Sequence, residues 1–119
     1  MSLVARHLEA NGIATVVIGS AVDIVTTCGV PRFLFVDFPL GNPCGKPYDR
    51  EMQQRIVRQG LGLLETTTEP NQVVTCDESW GSDAWRENYM RVDDSNRDEL
   101  AQMGEELRQR RKTRVPRTH

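Results

Sequence analysis

The sequence lacks most of the features that assign a small protein to a specialised class. Only 6% of its 119 residues are aromatic. No apolar run approaches the roughly 20 residues that a membrane-spanning helix needs. Basic and acidic residues nearly balance, at 15 and 17, so the overall charge favours neither a nucleic-acid nor a membrane partner. Arg6, His7 and Glu9 interrupt the beginning of the chain, which excludes the continuous apolar stretch of a secretory signal.

Cysteine and histidine are also scarce. The three cysteines, Cys28, Cys44 and Cys76, show no paired spacing, which argues against the disulfide framework of a secreted domain and predicts a cytoplasmic protein. No C-x-x-C occurs and the two histidines stand far apart, so no metal site is predicted. The run Gly41–Lys46 lacks the spacing of a phosphate-binding loop, and Pro47 occupies the position of its Mg²⁺-binding hydroxyl. The sequence therefore predicts no nucleotide cofactor.

Charged and apolar residues are distributed unevenly along the chain. The segment 12–37 is dense in Val, Ile and Phe, whereas about half of residues 93–119 are charged. The first segment can build a core, and the second cannot build one alone. We predict an α/β domain over residues 1–78 and a helical C-terminal arm with a basic tail over residues 79–119.

Helical and strand patterns alternate in the first part of the chain. A helix is predicted over residues 2–11, and the β-branched run Ile13–Ile18 predicts a strand that is buried on both faces. The run Arg32–Phe38 predicts a second buried strand. This order predicts parallel strands that are joined by a right-handed crossover. The helix between the strands is predicted from one apolar stripe at helical spacing: Ala21, Ile24, Val25 and Cys28.

Three further elements are predicted after the second strand. Asp49 is placed to cap a long helix that ends near Glu65, and Val73–Cys76 is a weak third strand. Asp94-Ser95 is placed to cap a final helix. A short amphipathic stretch precedes that helix: Trp80, Trp85, Tyr89 and Met90. The long helix presents a broad apolar face: Met52, Ile56, Val57, Leu61, Leu63 and Leu64.

The predicted sheet is small, and its edges are unfinished. Parallel sheets normally have several strands and helices on both faces. We therefore predict a three-layer sheet of Rossmann or flavodoxin-like type that is incomplete in one chain. The final helix adds a narrow apolar stripe with little in its own chain to cover it: Leu100, Met103 and Leu107. The chain is either a small domain with a solvated arm or a subunit that another chain completes, and we favour the second interpretation.

The loop over residues 39–49 is the predicted binding site, because open parallel sheets bind ligands beyond the carboxyl ends of their strands. Gly41 and Gly45 allow the backbone to approach a ligand closely, and Asn42 offers both a donor and an acceptor. Lys46 adds a cation. We predict that these four residues bind a small polar or anionic substrate, and the alternative is that the loop is only a stiff connection.

Cys44 is the predicted catalytic residue. It lies close in sequence to Lys46 and to a helix N-terminus, and both features favour a reactive thiolate. The alternative is that Cys44 is an unreactive bystander. Cys28 belongs to an apolar helical stripe and is predicted to be a core residue.

The run Pro39-Leu40-Gly41-Asn42-Pro43, after an apolar strand, resembles the C-terminal region of component B of glycine/sarcosine/betaine reductase. The D-proline reductase selenoprotein is similar. The run Gly12–Ile18 also resembles a G-I-P-x-V strand of that family, and the resemblance covers roughly residues 4–65. It implies the reductive cleavage of a C–N bond by a thiol or selenol. The attacking Cys or Sec lies upstream of the matching region in the family, so the resemblance implies that a partner chain carries it.

These observations predict the small subunit of a reductase-like enzyme in a hetero- or homo-oligomer, with a larger subunit that carries a Cys or Sec redox motif. The alternative is a non-catalytic binding or regulatory α/β module that dimerises. A third hypothesis is a nucleic-acid accessory protein that uses the basic tail Arg108–His119. No aromatic residues interleave with the arginines, so we favour the interpretation that this tail is a solvated end.

Overall fold

The structure is a computed structural model, and it describes residues 1–89 and 91–113. The chain divides into two compact units, of which the first spans Met1–Arg86 and the second begins at Glu87. No helix in the described ranges is long and apolar enough to cross a membrane. The elements, in chain order, are α1 (Ser2–Ala10), β1 (Val17–Gly19), α2 (Val22–Cys28), β2 (Arg32–Phe35), α3 (Arg50–Thr66), β3 (Gln72–Thr75), α4 (Ala84–Asn88) and α5 (Arg97–Thr113).

A small parallel sheet forms the centre of the first unit. Its strands are ordered β1-β2-β3, and Phe33 in the central strand stands opposite Val17 on one side and Val73 on the other. Helices pack on this sheet, so the predicted α/β class is confirmed at this level. In the part of the chain that the structure describes, β1 and β3 are the two edges of the sheet.

The larger core lies between the sheet and α3. Asp49 caps α3 as predicted, because its Oδ1 accepts the Met52 backbone N–H at 3.0 Å. At Gly60 the helix approaches β1 so closely that an added Cβ would lie 2.8 Å from Ile18 Cδ1. The buried members of this core are Leu34, Val36, Phe38, Met52, Ile56, Leu63 and Cys76.

The smaller core lies on the opposite face of the sheet, where α1 and α2 pack. Ala5, Val30 and Phe33 are buried there, with Val22 and Val25 of α2 packed against them. Glu9 of α1 and Arg32 of β2 join the two layers through an ion pair of 2.7 Å. Helices therefore cover both faces of the central strand.

The two crossover connections have opposite hands. α2 packs on the face that carries Phe33 and α3 packs on the face that carries Leu34, although the strands follow one another as β1-β2-β3. Two right-handed crossovers that advance in one direction would place both helices on one face, so only one of these connections can be right-handed. The chain thus leaves β1 towards one face and β2 towards the other.

Several predicted boundaries in the first unit are wrong. The strand predicted over Ile13–Ile18 begins at Val17, because the Thr15 backbone N–H and hydroxyl donate to Glu9 Oε2 at 2.7 and 2.9 Å instead of to a strand. The second strand ends at Phe35 rather than Phe38. In α2 the side chains that pack against the core are Val22 and Val25, and Ile24 of the predicted stripe is 62% exposed.

The second unit contains α5, which starts later than predicted. Asp93 rather than Asp94-Ser95 organises the turn, since its carboxylate accepts the Ser95 backbone N–H at 2.9 Å and its carbonyl accepts the Arg97 N–H at 3.0 Å. Met90 and the end of the basic tail, residues 114–119, lie outside the described residues. The apolar stripe predicted on this helix is exposed: Leu100, Met103 and Leu107.

Candidate functional site

The candidate site is built on residues 39–49, which we call the edge loop. The loop follows the carboxyl end of β2 and consists of consecutive turns. The Asn42 backbone N–H donates to the Pro39 carbonyl at 3.0 Å, and the Gly45 N–H donates to the Asn42 carbonyl at 3.2 Å. The Asp49 N–H then donates to the Lys46 carbonyl at 3.2 Å. These bonds give the loop a defined conformation without regular secondary structure.

The edge loop is fixed to the first turns of α3. Gln53 Nε2 donates to the Lys46 carbonyl at 2.7 Å. Gly45 is buried with a φ of 112°, and an added Cβ would lie 3.2 Å from Gln53 Cγ. Only glycine adopts this backbone conformation readily, and only glycine leaves enough space for the helix. The sequence therefore requires glycine here for two independent reasons.

An open cleft of about 500 Å³ lies between the edge loop and α3. It brings together four of the five predicted site residues, namely Gly41, Asn42, Cys44 and Gly45. Gln53 and Val57 of α3 complete the lining together with two prolines of the loop. No carboxylate and no histidine of the described chain lines this cleft, so it contains no general acid or base of its own.

Lys46, the fifth predicted site residue, does not line the cleft. Its ammonium lies 5.4 Å from the centroid of the Trp80 ring. Trp80 in turn meets Phe38 edge-on, with ring centroids 5.2 Å apart. The Asp49 carboxylate already accepts a backbone N–H at the start of α3. The Lys46 ammonium and the N-terminus of α3 were both expected to activate Cys44, and both are engaged by other groups.

The three cysteines differ in their exposure. Cys44 is exposed, Cys28 is half-buried, and Cys76 is buried directly after β3. Burial raises the pKa of the Cys76 thiol, and hydrogen bonds from the Glu78 and Asp77 backbone oppose this shift in part. Cys44 is therefore the most exposed of the three thiols, and Cys28, which was predicted to be a core residue, is only partly covered.

The segment after β3 was predicted to be an amphipathic stretch, but its place beside the edge loop was not predicted. Arg86 forms an ion pair with Asp37, and its guanidinium lies 4.5 Å from the centroid of the Trp85 ring. Asp37 follows β2, so this pair connects residues 77–86 to the carboxyl end of the sheet, where the edge loop also lies. Ser20, which follows β1, has a buried hydroxyl with no hydrogen-bond partner among the described residues. The sequence held one signal for these contacts: Ser20, Asp37 and residues 77–86 each follow a strand, and the carboxyl ends of parallel strands lie together.

A second cleft, of about 380 Å³, opens at the opposite end of the sheet, beside the amino ends of β2 and β3. Arg6, Glu9 and Arg32 line it together with residues 68–71. The hydrogen bond from Arg32 holds the pKa of the Glu9 carboxyl below its ordinary value, and Thr15 adds to this effect against the cost of burial. Arg6 donates to the Cys28 carbonyl at 3.1 Å, whereas Arg32 Nε is buried with no hydrogen-bond partner among the described residues. No cluster of metal-ligating side chains occurs in the described ranges.

Comparison of the chain with protein-family models, with curated proteins and with solved structures finds no match in any of the three. The chemistry of the site therefore rests on its own geometry and on the residues of the edge loop.

Proposed function

We propose that this chain is a subunit of a thiol- or selenol-dependent reductase, and that the edge loop forms one wall of its substrate site. One observation supports this most strongly. The run Pro39–Pro43, which carries the resemblance to component B of glycine/sarcosine/betaine reductase, lies beyond the carboxyl end of the central strand and borders an open cleft. That end of a parallel sheet is where α/β enzymes bind their ligands.

The proposal assigns the attacking group to a partner chain. The described cleft offers an amide at Asn42 and a thiol at Cys44, without an acid or a base to activate either. In the proposed reaction a thiolate or selenolate of the larger subunit attacks the substrate carbon, and a carbon–sulfur or carbon–selenium bond forms. The C–N bond breaks, and the amine leaves and takes up a proton. A second thiol then attacks the sulfur or selenium of the adduct, the carbon leaves and takes up a proton, and the disulfide or selenenyl sulfide that forms is reduced by an external dithiol. Asn42 would hold the polar group of the substrate, and Cys44 is this chain's own candidate catalytic residue.

The proposal also assigns the chain a Rossmann or flavodoxin-like sheet that the larger subunit completes. Two features support it. The strands β1 and β3 are the edges of the described sheet, and Val73 of β3 is 42% exposed. An edge strand with an exposed apolar side chain is a ready surface for another chain.

The test is turnover by the native assembly. A tag on this chain is used to purify the complex from its own cells, and mass spectrometry identifies a partner with a Cys or Sec motif. The complex is incubated with dithiothreitol and glycine, sarcosine, betaine or D-proline. Released ammonia, methylamine or trimethylamine is measured, as is the ring-opened product of D-proline. We expect one of the four to be cleaved.

Variants then separate the edge loop from the rest of the chain. Asn42→Ala is expected to lower turnover at least tenfold in the assembled complex, and Cys44→Ser tests the thiol. Asn11→Ala, which removes an exposed amide at the end of α1 outside the cleft, is the matched control. Full turnover by Asn42→Ala would show that the edge loop only connects β2 to α3 and does not bind the substrate. If a complex forms but cleaves none of the four substrates, the non-catalytic binding module is the better description.

A further inference from the structure

Each unit of the chain presents an exposed apolar stripe on a helix of 17 residues. On the outer side of α3, Val57 and Leu61 stand one turn apart and are 39% and 55% exposed. On α5 the side chains of Leu100, Met103 and Leu107 are between 41% and 51% exposed. Exposed apolar stripes at helical spacing are typical of helices that pack on another helix.

Both helices carry charges of both signs, and the order of the charges along the chain differs between the two. Arg50 and Arg58 line a shallow groove on α3 together with Val57 and Leu61. In α5 four acidic residues fall within positions 98–106, after Arg97, and the residues from 108 onward are rich in arginine. On α3 the overall order is reversed, since all three arginines and one acid, Glu51, lie in the first nine residues and Glu65 lies near the end. Two such helices match in charge when they run parallel.

We propose that α5 of one copy of this chain docks along the outer face of α3 of a second copy, and that the exchange is reciprocal. In the parallel arrangement Met103 packs beside Val57 and Leu107 beside Leu61, because both pairs have the same four-residue spacing. A reciprocal exchange forms the contact twice around a two-fold axis. Doubling matters here, because one helix pair alone covers less area than the ~1,200 Å² of a stable interface.

The proposed contact reaches the candidate site. Gln53 and Val57 line both the groove on α3 and the cleft beside the edge loop. The docked helix would therefore stand at the rim of that cleft, and the second copy would contribute to a site that is open in one chain. This inference does not depend on the reductase chemistry, since it rests on the two stripes and their charges.

The first experiment measures the mass of the purified full chain by sedimentation equilibrium. We expect about 27 kDa, which is two copies of 13.5 kDa. The variant Val57→Ser with Leu61→Ser, and the variant with serine at positions 100, 103 and 107, are each expected to weaken the dimer at least tenfold. Ile24→Ser is the matched control, because Ile24 is 62% exposed on α2, outside both stripes. Circular dichroism confirms that each variant is folded.

The second experiment distinguishes exchange between copies from docking within one chain. One variant carries Leu61→Cys and the other carries Leu107→Cys, both with Cys28→Ser and Cys44→Ser. The two are mixed and oxidised with copper phenanthroline. We expect a disulfide-linked pair that contains one copy of each variant. A cross-link that forms only when both substitutions are in one chain, a monomeric wild type, or a dimer that neither serine variant weakens would each overturn the proposal.

Discussion

Lys46 of the edge loop places its ammonium 5.4 Å from the centroid of the Trp80 ring, beyond the third strand. Trp80 packs edge-on against Phe38, which precedes the same loop. The cation that the sequence offered as a ligand for an anion thus joins two segments that follow different strands. In the described structure Lys46 therefore connects the segments that follow β2 and β3 at the carboxyl end of the sheet.

The strength of this contact can be measured with a double-mutant cycle. Lys46→Met keeps the aliphatic stem and removes the charge, and Trp80→Leu removes the ring. We expect a coupling energy of about 0.5–1 kcal/mol in urea unfolding at low salt, because a partly exposed cation over an aromatic ring contributes that much. Lys46→Arg, which keeps the cation, is the control. A coupling energy of zero would mean that the two side chains are only neighbours.

Gly60 and Gly62 of α3 are expected to respond to alanine in opposite directions. At Gly60 the new Cβ would lie 2.8 Å from Ile18 Cδ1, so the helix or Ile18 must shift, and we expect a loss of about 1–3 kcal/mol. At Gly62 nothing lies within 4 Å of the new Cβ. Alanine has the higher helix propensity, so Gly62→Ala is expected to gain about 0.5–1 kcal/mol. Urea unfolding of the two variants measures both values, and a gain at Gly60 would show that the helix does not pack this closely.

Those two glycines show what the sequence could and could not predict of the fold. The period of the apolar residues and the cap at Asp49 predicted α3 almost to its ends. The close approach at Gly60 depends on where Ile18 lies, and no local pattern contains that information. The opposite hands of the two crossovers are non-local in the same way, because they depend on which face each helix covers. The strand predicted over residues 13–18 exists but begins only at Val17, because Glu9 accepts the Thr15 N–H, a contact that no local pattern contains.

The ion pair of Glu9 and Arg32 is expected to stabilise the first unit. Arg32 is mostly buried, and Glu9→Gln would leave its guanidinium without a countercharge. We expect a loss of about 1–3 kcal/mol in the free energy of unfolding at pH 7, the range for hydrogen bonds to charged groups. Glu65→Gln, on the exposed end of α3, is the control and should change stability by less than about 0.5 kcal/mol.

The same pair predicts a pH dependence of stability. The pKa of Glu9 is lowered in the folded chain, mainly by the hydrogen bond from Arg32. Its contribution is therefore fully present above the ordinary value of about 4.5, and it is lost as the pH falls through the lower pKa of the folded state. The difference in unfolding free energy between the wild type and Glu9→Gln should shrink over that acidic range. A difference that stays constant from pH 7 to pH 3 would show that the carboxylate is not held by Arg32.

The reactivity of the cysteines tests whether the candidate site activates a thiol. We expect iodoacetamide at pH 7 to label Cys44 first and Cys76 only after unfolding, because Cys76 is buried and its thiol pKa is raised. The rate at Cys44 is compared with the rate at the same residue in urea. An activated thiol should react at least tenfold faster in the folded chain, whereas equal rates would mark Cys44 as exposed and unreactive. Peptide mass spectrometry assigns the labelled positions.

The candidate site was predictable in position but not in detail. The turn-forming residues of the edge loop and its place after a buried strand predicted a cleft with Gly41, Asn42, Cys44 and Gly45. The direction of the Lys46 side chain was not predictable, because it depends on an aromatic ring that arrives from beyond β3. Arg86 likewise reaches Asp37 across 49 residues of sequence, and nothing in the local pattern of either residue indicates the pair.

The register of the sheet has a consequence for the order in which the chain assembles. Val17 and Phe33 are paired across 16 residues of chain, whereas Phe33 and Val73 are paired across 40. Closing the longer loop costs about 0.8 kcal/mol more in chain entropy, so we expect the first two strands to associate before the third joins them. The strand that joins last leads directly into Cys76. Each newly made chain therefore exposes this thiol to the cell until the sheet is complete, and a slow or mutated third strand would lengthen that exposure.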